Sequence, residues 1–305
     1  MCGIVGLFLK TPKFENSLGR LLTPMLVEMT ERGPDSAGFA LYGPEPPQNR
    51  IKVTLSDAGA TCDWPALAED FEQTLETEVE YFVRANHAVF VLPAEEARIR
   101  ECVASRHPDL HITAIGNHLE IYKETGLPAD VAARFGLDEM IGSHAIGHTR
   151  MATESGISGK HSHPFCAARD FSLVHNGSLS NHNGVRDRLR HSGVTFDSDN
   201  DTEVAAKFIA QRLALGRSLN DALQDSLSVL DGFYTFAVGS ADGFAVLRDS
   251  VAAKPAALGE TEDWVAMASE YRALATLPGI EKARLWEPKP ATVYSWSHDR
   301  MAQAA

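Results

Sequence analysis

Met1-Cys2-Gly3-Ile4-Val5-Gly6-Leu7-Phe8-Leu9 opens the chain, and the reading of this stretch decides the rest. Cys2 to Leu9 is a short apolar run rich in β-formers, which predicts a strand starting almost at the first residue and a buried beginning to the fold. Removal of Met1 would put a thiol and a free α-amine on the same residue, so that nucleophile and base travel together. A free thiol titrates near ~8.5 and an α-amine at about 7.7–8.0, so at neutral pH part of the amine can take the thiol proton, directly or through water. Acyl transfer is the chemistry this suits. A small buried cysteine in a strand is the plainer explanation of Cys2 taken alone, so the residues beyond it carry the decision.

Leu18, Leu21, Leu22, Met25, Leu26 and Met29 follow helical spacing, with Pro24 expected to break the helix in two. Arg32-Gly33-Pro34-Asp35 ends that pattern with turn chemistry, and Ala37 to Tyr42 resumes as a strand. After the proline-rich stretch from Gly43 to Asn49, residues 51 to about 140 have a rhythm of their own and read as an insertion. Its expected elements are strand 51–56, helix 65–77, strand 79–84, strand 88–92, helix 94–105 and strand 111–115, then strand 117–122 and helix 128–138. The first six spell β-α-β-β-α-β, the order of a ferredoxin-like split unit; an irregular arm is the alternative.

Past the insertion, Ala145 to His148 and Phe171 to Val174 read as strands running into polar turns. Asp201-Thr202 is expected to cap a helix bearing Val204, Ala205, Phe208, Ile209 and Leu213 on one face, and a second helix runs from Leu219 to Leu230. Strands 233–238, 243–248, 264–269 and 292–296, with a helix at 270–277, keep the last third within the folded domain, leaving 298–305 as a tail.

Composition narrows the function. With 305 residues, 44% hydrophobic and 23% charged, the chain is globular, and no stretch reaches the roughly 18 uncharged apolar residues of a membrane span. The first residues lack the basic region of a signal peptide, so a cytoplasmic protein is expected. A net charge of −13, without a dense basic stretch, argues against nucleic acid as a partner. The four cysteines, Cys2, Cys62, Cys102 and Cys166, form no CxxC pair, so neither a disulfide framework nor a thiolate zinc site is suggested. Six of the 12 histidines fall between His144 and His182, but without HExxH or Cys-His spacing no catalytic metal is expected.

Four further motifs follow Cys2 in order: Arg32-Gly33-Pro34-Asp35-Ser36-Ala37-Gly38, Gly147-His148-Thr149-Arg150-Met151-Ala152-Thr153, His175-Asn176-Gly177 and Asp201-Thr202-Glu203. Arg150, at a strand end, can grip an α-carboxylate through two parallel N–H bonds, and Asp201 can pair with an α-ammonium. The Asn176 side-chain amide and the Gly177 N–H, expected in a tight turn, could point at an oxygen becoming negative. Each motif has an ordinary structural explanation as a turn, a hairpin, a surface ion pair or a helix cap. Their joint occurrence in this order, starting at residue 2, is what resembles the class II glutamine amidotransferases.

The similarity runs over residues 2–42 and 143–297, including Leu247-Arg248-Asp249 to Lys254-Pro255 and Ala268-Ser269-Glu270. It implies an α+β fold, the N-terminal-nucleophile hydrolase αββα sandwich of two antiparallel sheets, with a small α/β subdomain inserted. It further implies that Cys2 is the nucleophile, that Asn176 and Gly177 form the oxyanion hole, and that Arg150, Thr153, His163, Gly177 and Asp201 line the glutamine pocket. Arg32 would support the loop over the nucleophile. Met151 stands where many members have tryptophan, and Thr153-Glu154-Ser155-Gly156 replaces a histidine-glycine continuation.

The chain looks most like the stand-alone amidotransferase subunit of glutamate-synthase-like complexes, N-methylglutamate synthase among them. Ammonia released from L-glutamine would then pass to a separate synthase subunit. Flavin mononucleotide or iron–sulfur groups would belong to that partner, because this chain has neither a cysteine cluster nor a dinucleotide glycine fingerprint. A non-catalytic structural or glutamine-sensing subunit of the same complex is the alternative, and a stand-alone amidohydrolase for another amide a third reading.

Overall fold

The computed structural model describes residues 2–47, 49–151 and 159–298. The chain begins β1 (Gly3–Leu9), α1 (Leu18–Val27), β2 (Ser36–Tyr42), β3 (Ile51–Asp57), α2 (Trp64–Leu75), β4 (Glu80–Arg84), β5 (His87–Leu92) and α3 (Glu96–Arg106). It continues β6 (Leu110–Gly116), β7 (Leu119–Thr125), α4 (Pro128–Phe135), β8 (His144–Arg150), β9 (Phe165–Ala168), β10 (Phe171–Leu179), α5 (His182–His191), α6 (Asp201–Ala214) and α7 (Leu219–Val229). It closes with β11 (Gly232–Ser240), β12 (Gly243–Arg248), β13 (Ala257–Glu260), β14 (Trp264–Ala268), α8 (Tyr271–Leu274), β15 (Arg284–Trp286) and β16 (Val293–Ser297).

The uninterrupted apolar run of β1 follows from its place, because the strand is buried on both faces. Ile4 and Phe8 point into the layer between two sheets, with Val174, Ala237, Phe244 and Val246 opposite. Val5, Leu7 and Leu9 point the other way, onto α1 and α8. Gly6 shares the inter-sheet face, and a Cβ there would lie 2.6 Å from the Phe244 ring, so only glycine fits. The first sheet has seven strands in the order β15-β13-β14-β1-β8-β2-β7, and the second five in the order β16-β12-β11-β10-β9. Neighbouring strands pair antiparallel in both. Helices α1, α4 and α8 cover the first sheet, and α5, α6 and α7 the second. The layers therefore run helix, sheet, sheet, helix, which is the αββα sandwich.

A third sheet, β4-β5-β3-β6, stands apart and is covered by α2 and α3. Its strands are all antiparallel neighbours, with β3 between β5 and β6, which is the arrangement of a split β-α-β unit. This separate sheet ends at Gly116. Leu119–Thr125 instead pairs with β2 at the edge of the seven-stranded sheet, and α4 packs beneath it. Local periodicity identifies a strand without naming its neighbour, so the sheet that this strand joins was not readable from the pattern. A buried ion pair joins the two parts: Lys52 Nζ on β3 donates to Glu120 Oε1 on β7 at 2.8 Å, and Tyr122 Oη donates to Glu120 Oε2 at 2.8 Å.

Pro24 does not divide α1. The helix runs unbroken through it, and the Glu28 N–H donates to the Pro24 carbonyl at 3.0 Å, so only the bond that the Pro24 nitrogen cannot make is lost.

Candidate active site

The end of β8 is where the motifs meet. Arg32, Gly33 and Asp35 wrap it: the Asp35 N–H donates to the Arg150 carbonyl at 3.1 Å, and a Cβ on Gly33 would lie 2.4 Å from the Arg150 nitrogen. Arg32 Nε donates to the main-chain carbonyl of Cys2 at 3.0 Å while its Nη1 meets Glu270 Oε1 at 2.9 Å. Glu270 is brought there by β14, whose last residue leads into Ser269. The Ile4 N–H donates to Ser269 Oγ at 2.9 Å, and the Ser269 N–H to the Ile4 carbonyl at 2.9 Å. Arg32 thus holds the backbone of Cys2 and lies outside the cavity lining. Glu270 was visible in the sequence only as part of a motif, without a role.

Cys2, Arg150, His163, Gly177 and Asp201 line one cavity of about 320 Å³, together with Met151, His175, Ser178, His182, Asp199, Asn200 and Thr202. Thr153 and the 153–156 departure lie outside the described residues. Asn176 is buried beside this wall, and its Nδ2 has no hydrogen-bond partner among the described residues. An uncompensated buried donor costs about 1–3 kcal/mol, which fits a group kept for a bound oxygen.

Asn176-Gly177 does not form the expected turn. Both residues lie inside β10, opposite Thr235 and Tyr234 of β11. Asn-Gly favours turns through its backbone freedom, and here that freedom serves a strand distortion, with Gly177 at φ 151°. A Cβ on Gly177 would lie 1.9 Å from the Phe233 carbonyl oxygen. The Tyr234 N–H and C=O are both taken by Asp249, at 2.9 and 3.0 Å, so they do not hold Gly177. Asp249 also accepts the N–H groups of Val251 and Ala252, fixing the start of the Arg248-to-Pro255 segment.

Asp201 is the first residue of α6, and the true cap is Asn200, whose side chain accepts the Thr202 N–H at 2.8 Å. Capping by Asn200 frees the Asp201 carboxylate to face the cavity, where Oδ2 accepts the Leu179 N–H at 2.9 Å. Glu203 accepts the N–H groups of Asp197 and Ser198, both at 2.8 Å, and so shapes the loop that delivers Asn200 and Asp201.

Three histidines cluster at the pocket wall, His163 and His175 lining it and His148 behind them. His148 and His163 stack with ring centroids 3.9 Å apart, and burial drives the His148 pKa down to about 3 and that of His163 well below its ordinary value. Both rings are therefore neutral. His163 Nδ1 accepts the His175 N–H at 3.3 Å, so its own proton sits on Nε2, facing Thr202 Oγ1 at 3.2 Å. His148 Nε2 donates to the His175 carbonyl at 3.1 Å. Burial also lowers the pKa of His175, against the opposing pull of Asp201. Thr202 Oγ1 lies 3.0 Å from His175 Nδ1 and 3.4 Å from Asp201 Oδ1, linking the histidines to the carboxylate. The sequence places His175 and Thr202 in its motifs without a role for either, because nothing in their spacing shows that they meet across 27 residues.

A four-layer sandwich with a cysteine at the start of a central strand is the fold of the N-terminal-nucleophile amidotransferases, and solved structures agree. Glutamine phosphoribosylpyrophosphate amidotransferase from B. subtilis superposes with a TM-score of 0.61 at 20% identity, covering 97% of this chain and 49% of that one. A glutamine amidotransferase domain model matches residues 148–276. The glutamine amidotransferase-like protein GlxB of Rhizobium meliloti is 50% identical over 303 residues, spanning 99% of this chain and all of that protein. A putative glutamine amidotransferase of Methanothermobacter thermautotrophicus is 30% identical over 310 residues, spanning 96% and 99% of the two chains. The chain belongs to the glutamine amidotransferase-like family. Among the described residues no helix is long and apolar enough to cross a membrane.

Proposed function

We propose that this chain is a class II amidotransferase subunit that hydrolyses the side-chain amide of L-glutamine through Cys2 and hands the ammonia to a separate synthase subunit in the cytoplasm. The convergence of Cys2, Arg150, Gly177 and Asp201 on one cavity carries the reading, since those groups address the amide and both charged ends of a free amino acid.

Loss of Met1 converts the Cys2 nitrogen from an amide, which cannot act as a base, to an amine. That amine takes the Sγ proton as sulfur attacks the amide carbon, and the carbonyl oxygen gains charge beside Asn176 Nδ2 and the Gly177 N–H. The amine then gives its proton to the departing nitrogen, releasing ammonia and leaving a γ-glutamyl thioester. Water, deprotonated by the same amine, attacks the thioester and frees glutamate and the thiol. Arg150 grips the α-carboxylate and Asp201 the α-ammonium, with Thr153, His163 and the Arg32–Cys2 bond completing the site. This chemistry asks no cofactor of this chain. Flavin mononucleotide or iron–sulfur groups belong to a glutamate-synthase-like partner, of which N-methylglutamate synthase is the favoured kind.

The test combines turnover with labelling. Purified protein should release glutamate and ammonia from glutamine, lose Met1, and take one adduct on Cys2 from a cysteine-alkylating glutamine analogue, blocked by glutamine. Cys2→Ala should abolish both turnover and adduct; retained turnover sinks the mechanism. Saturable glutamine binding without turnover, even with the partner present, would favour a sensing subunit.

A further inference from the structure

We propose that the exposed edge of β4 is a self-association surface, on which two copies of this chain pair antiparallel about Phe82. Among the described residues β4 pairs only with β5, so one side of its backbone is open. Tyr81, Phe82 and Val83 are 37, 39 and 44% exposed, a run of three large apolar side chains on an unpaired strand. Edge strands are ordinarily guarded by a central charge, a proline or a bulge, and this strand has none in its middle.

The sequence Glu80-Tyr81-Phe82-Val83-Arg84 is its own complement when reversed. An antiparallel pair centred on Phe82 places Glu80 opposite the second copy's Arg84, Tyr81 opposite Val83 and Phe82 opposite Phe82. Opposite charges therefore meet at both ends, where Glu80 already meets Arg50 and Arg84 Nη1 donates to the Phe135 carbonyl at 3.0 Å, so the end pairs extend existing contacts and the apolar centre carries the pairing; parallel pairing would set glutamate against glutamate and arginine against arginine. No other segment needs to be invoked to satisfy the pattern, which is why a second copy is the occupant.

The backbone agrees. Arg84 and His87 flank the two-residue turn Ala85-Asn86, so they form a hydrogen-bonded pair, and the alternation along the ladder makes Phe82↔Val89 and Glu80↔Val91 hydrogen-bonded too. Tyr81 and Val83 occupy the intervening positions, and their N–H and C=O groups turn outward. Pairing about Phe82 then makes Tyr81 and Val83 the hydrogen-bonded pairs of the new ladder and sets Phe82 against its copy in a non-hydrogen-bonded pair. Side chains follow: Tyr81 already stacks on Phe90 on one face, ring centroids 5.5 Å apart, and Phe82 lies on the other with Arg84 over its ring.

Sedimentation velocity on the full chain should show a monomer–dimer equilibrium that shifts with concentration. Val83→Pro, which removes an outward N–H and spares the ladder to β5, should abolish the dimer with unchanged circular dichroism and melting temperature. The register is tested by mild oxidation with peptide mass spectrometry. Phe82→Cys should cross-link to itself, since a non-hydrogen-bonded pair holds the two Cα atoms about 4.5 Å apart, within disulfide reach. Tyr81→Cys and Val83→Cys should fail to cross-link singly and should cross-link when mixed. A monomer at all concentrations, a dimer indifferent to Val83→Pro, cross-links in another register, or a strand from a different protein on this edge would each overturn the proposal.

Discussion

Arg32 reaches across 30 residues to donate to the main-chain carbonyl of Cys2 at 3.0 Å, and the same guanidinium is anchored to Glu270 at 2.9 Å, 238 residues away. The Cys2 backbone is thus held by a charged fork fixed at its other end, buried on the arginine side. Lysine has one point charge and cannot serve both acceptors in this geometry. Arg32→Lys should lower glutaminase kcat about 10-fold or more, with a smaller change in KM, because a bond to a charged donor contributes about 1.5–3 kcal/mol. Steady-state kinetics check it; unchanged kcat would show that the bond does not position Cys2.

Asn176 separates catalysis from stability. Its Nδ2 is buried and makes no bond within the described residues, so Asn176→Ala, which removes that uncompensated donor, should hold or raise the melting temperature. Turnover should fall by roughly 100- to 1,000-fold, the usual cost of losing one oxyanion donor. Thermal melts and kcat on the same preparation decide the matter, and a large loss of stability with modest loss of turnover would make Asn176 structural.

Burial lowers the pKa values of His87, His144 and His148 to about 3 each. Their unfolded values lie near ~6.5, so below that pH the unfolded chain binds protons that the folded chain refuses. The stability from keeping them neutral is complete above about pH 6.5 and is lost as the pH falls toward 3, by up to about 1.4 kcal/mol per pH unit for each group. Urea midpoints should fall steadily from pH 7 to pH 5, and His87→Gln should make the decline shallower. A flat profile over that window would contradict the buried neutral histidines.

Lys52 and Glu120 couple the inserted sheet to the seven-stranded one, with side chains 9 and 10% exposed. Lys52→Met leaves a buried carboxylate with, among the described residues, the Tyr122 hydroxyl to satisfy it and should cost about 3–5 kcal/mol. The double change Lys52→Met with Glu120→Leu should recover most of the loss, because an apolar pair does without the desolvation of two charges. Denaturant unfolding of both variants measures the difference; equal losses would mean that the ion pair itself holds the junction.

Much of the local structure was legible. The expected elements at 65–77, 79–84, 88–92, 94–105 and 111–115 correspond to α2, β4, β5, α3 and β6 within a few residues, since each carries its own period. Helix α5 was missed because its buried face holds only Val185 and Leu189 as aliphatic residues, with Arg186 beside them, too few to show a helical period. The short strands β9, β13 and β15 were missed because three or four residues are too few to show alternation.

By itself, the sequence determined the place of Cys2 at the head of a two-sided strand, the order of the motifs and the alternation of helix and strand. These are properties of neighbouring residues and of composition. The tertiary structure alone decided that Glu270 anchors Arg32, that Thr202 joins His163, His175 and Asp201, that Asn176-Gly177 lies in a distorted strand, and that Leu119–Thr125 leaves the insertion for the large sheet. Each of these is a pairing between distant segments, fixed by which burial and hydrogen-bond solution the whole chain can satisfy at once, and a local pattern carries no record of its partner.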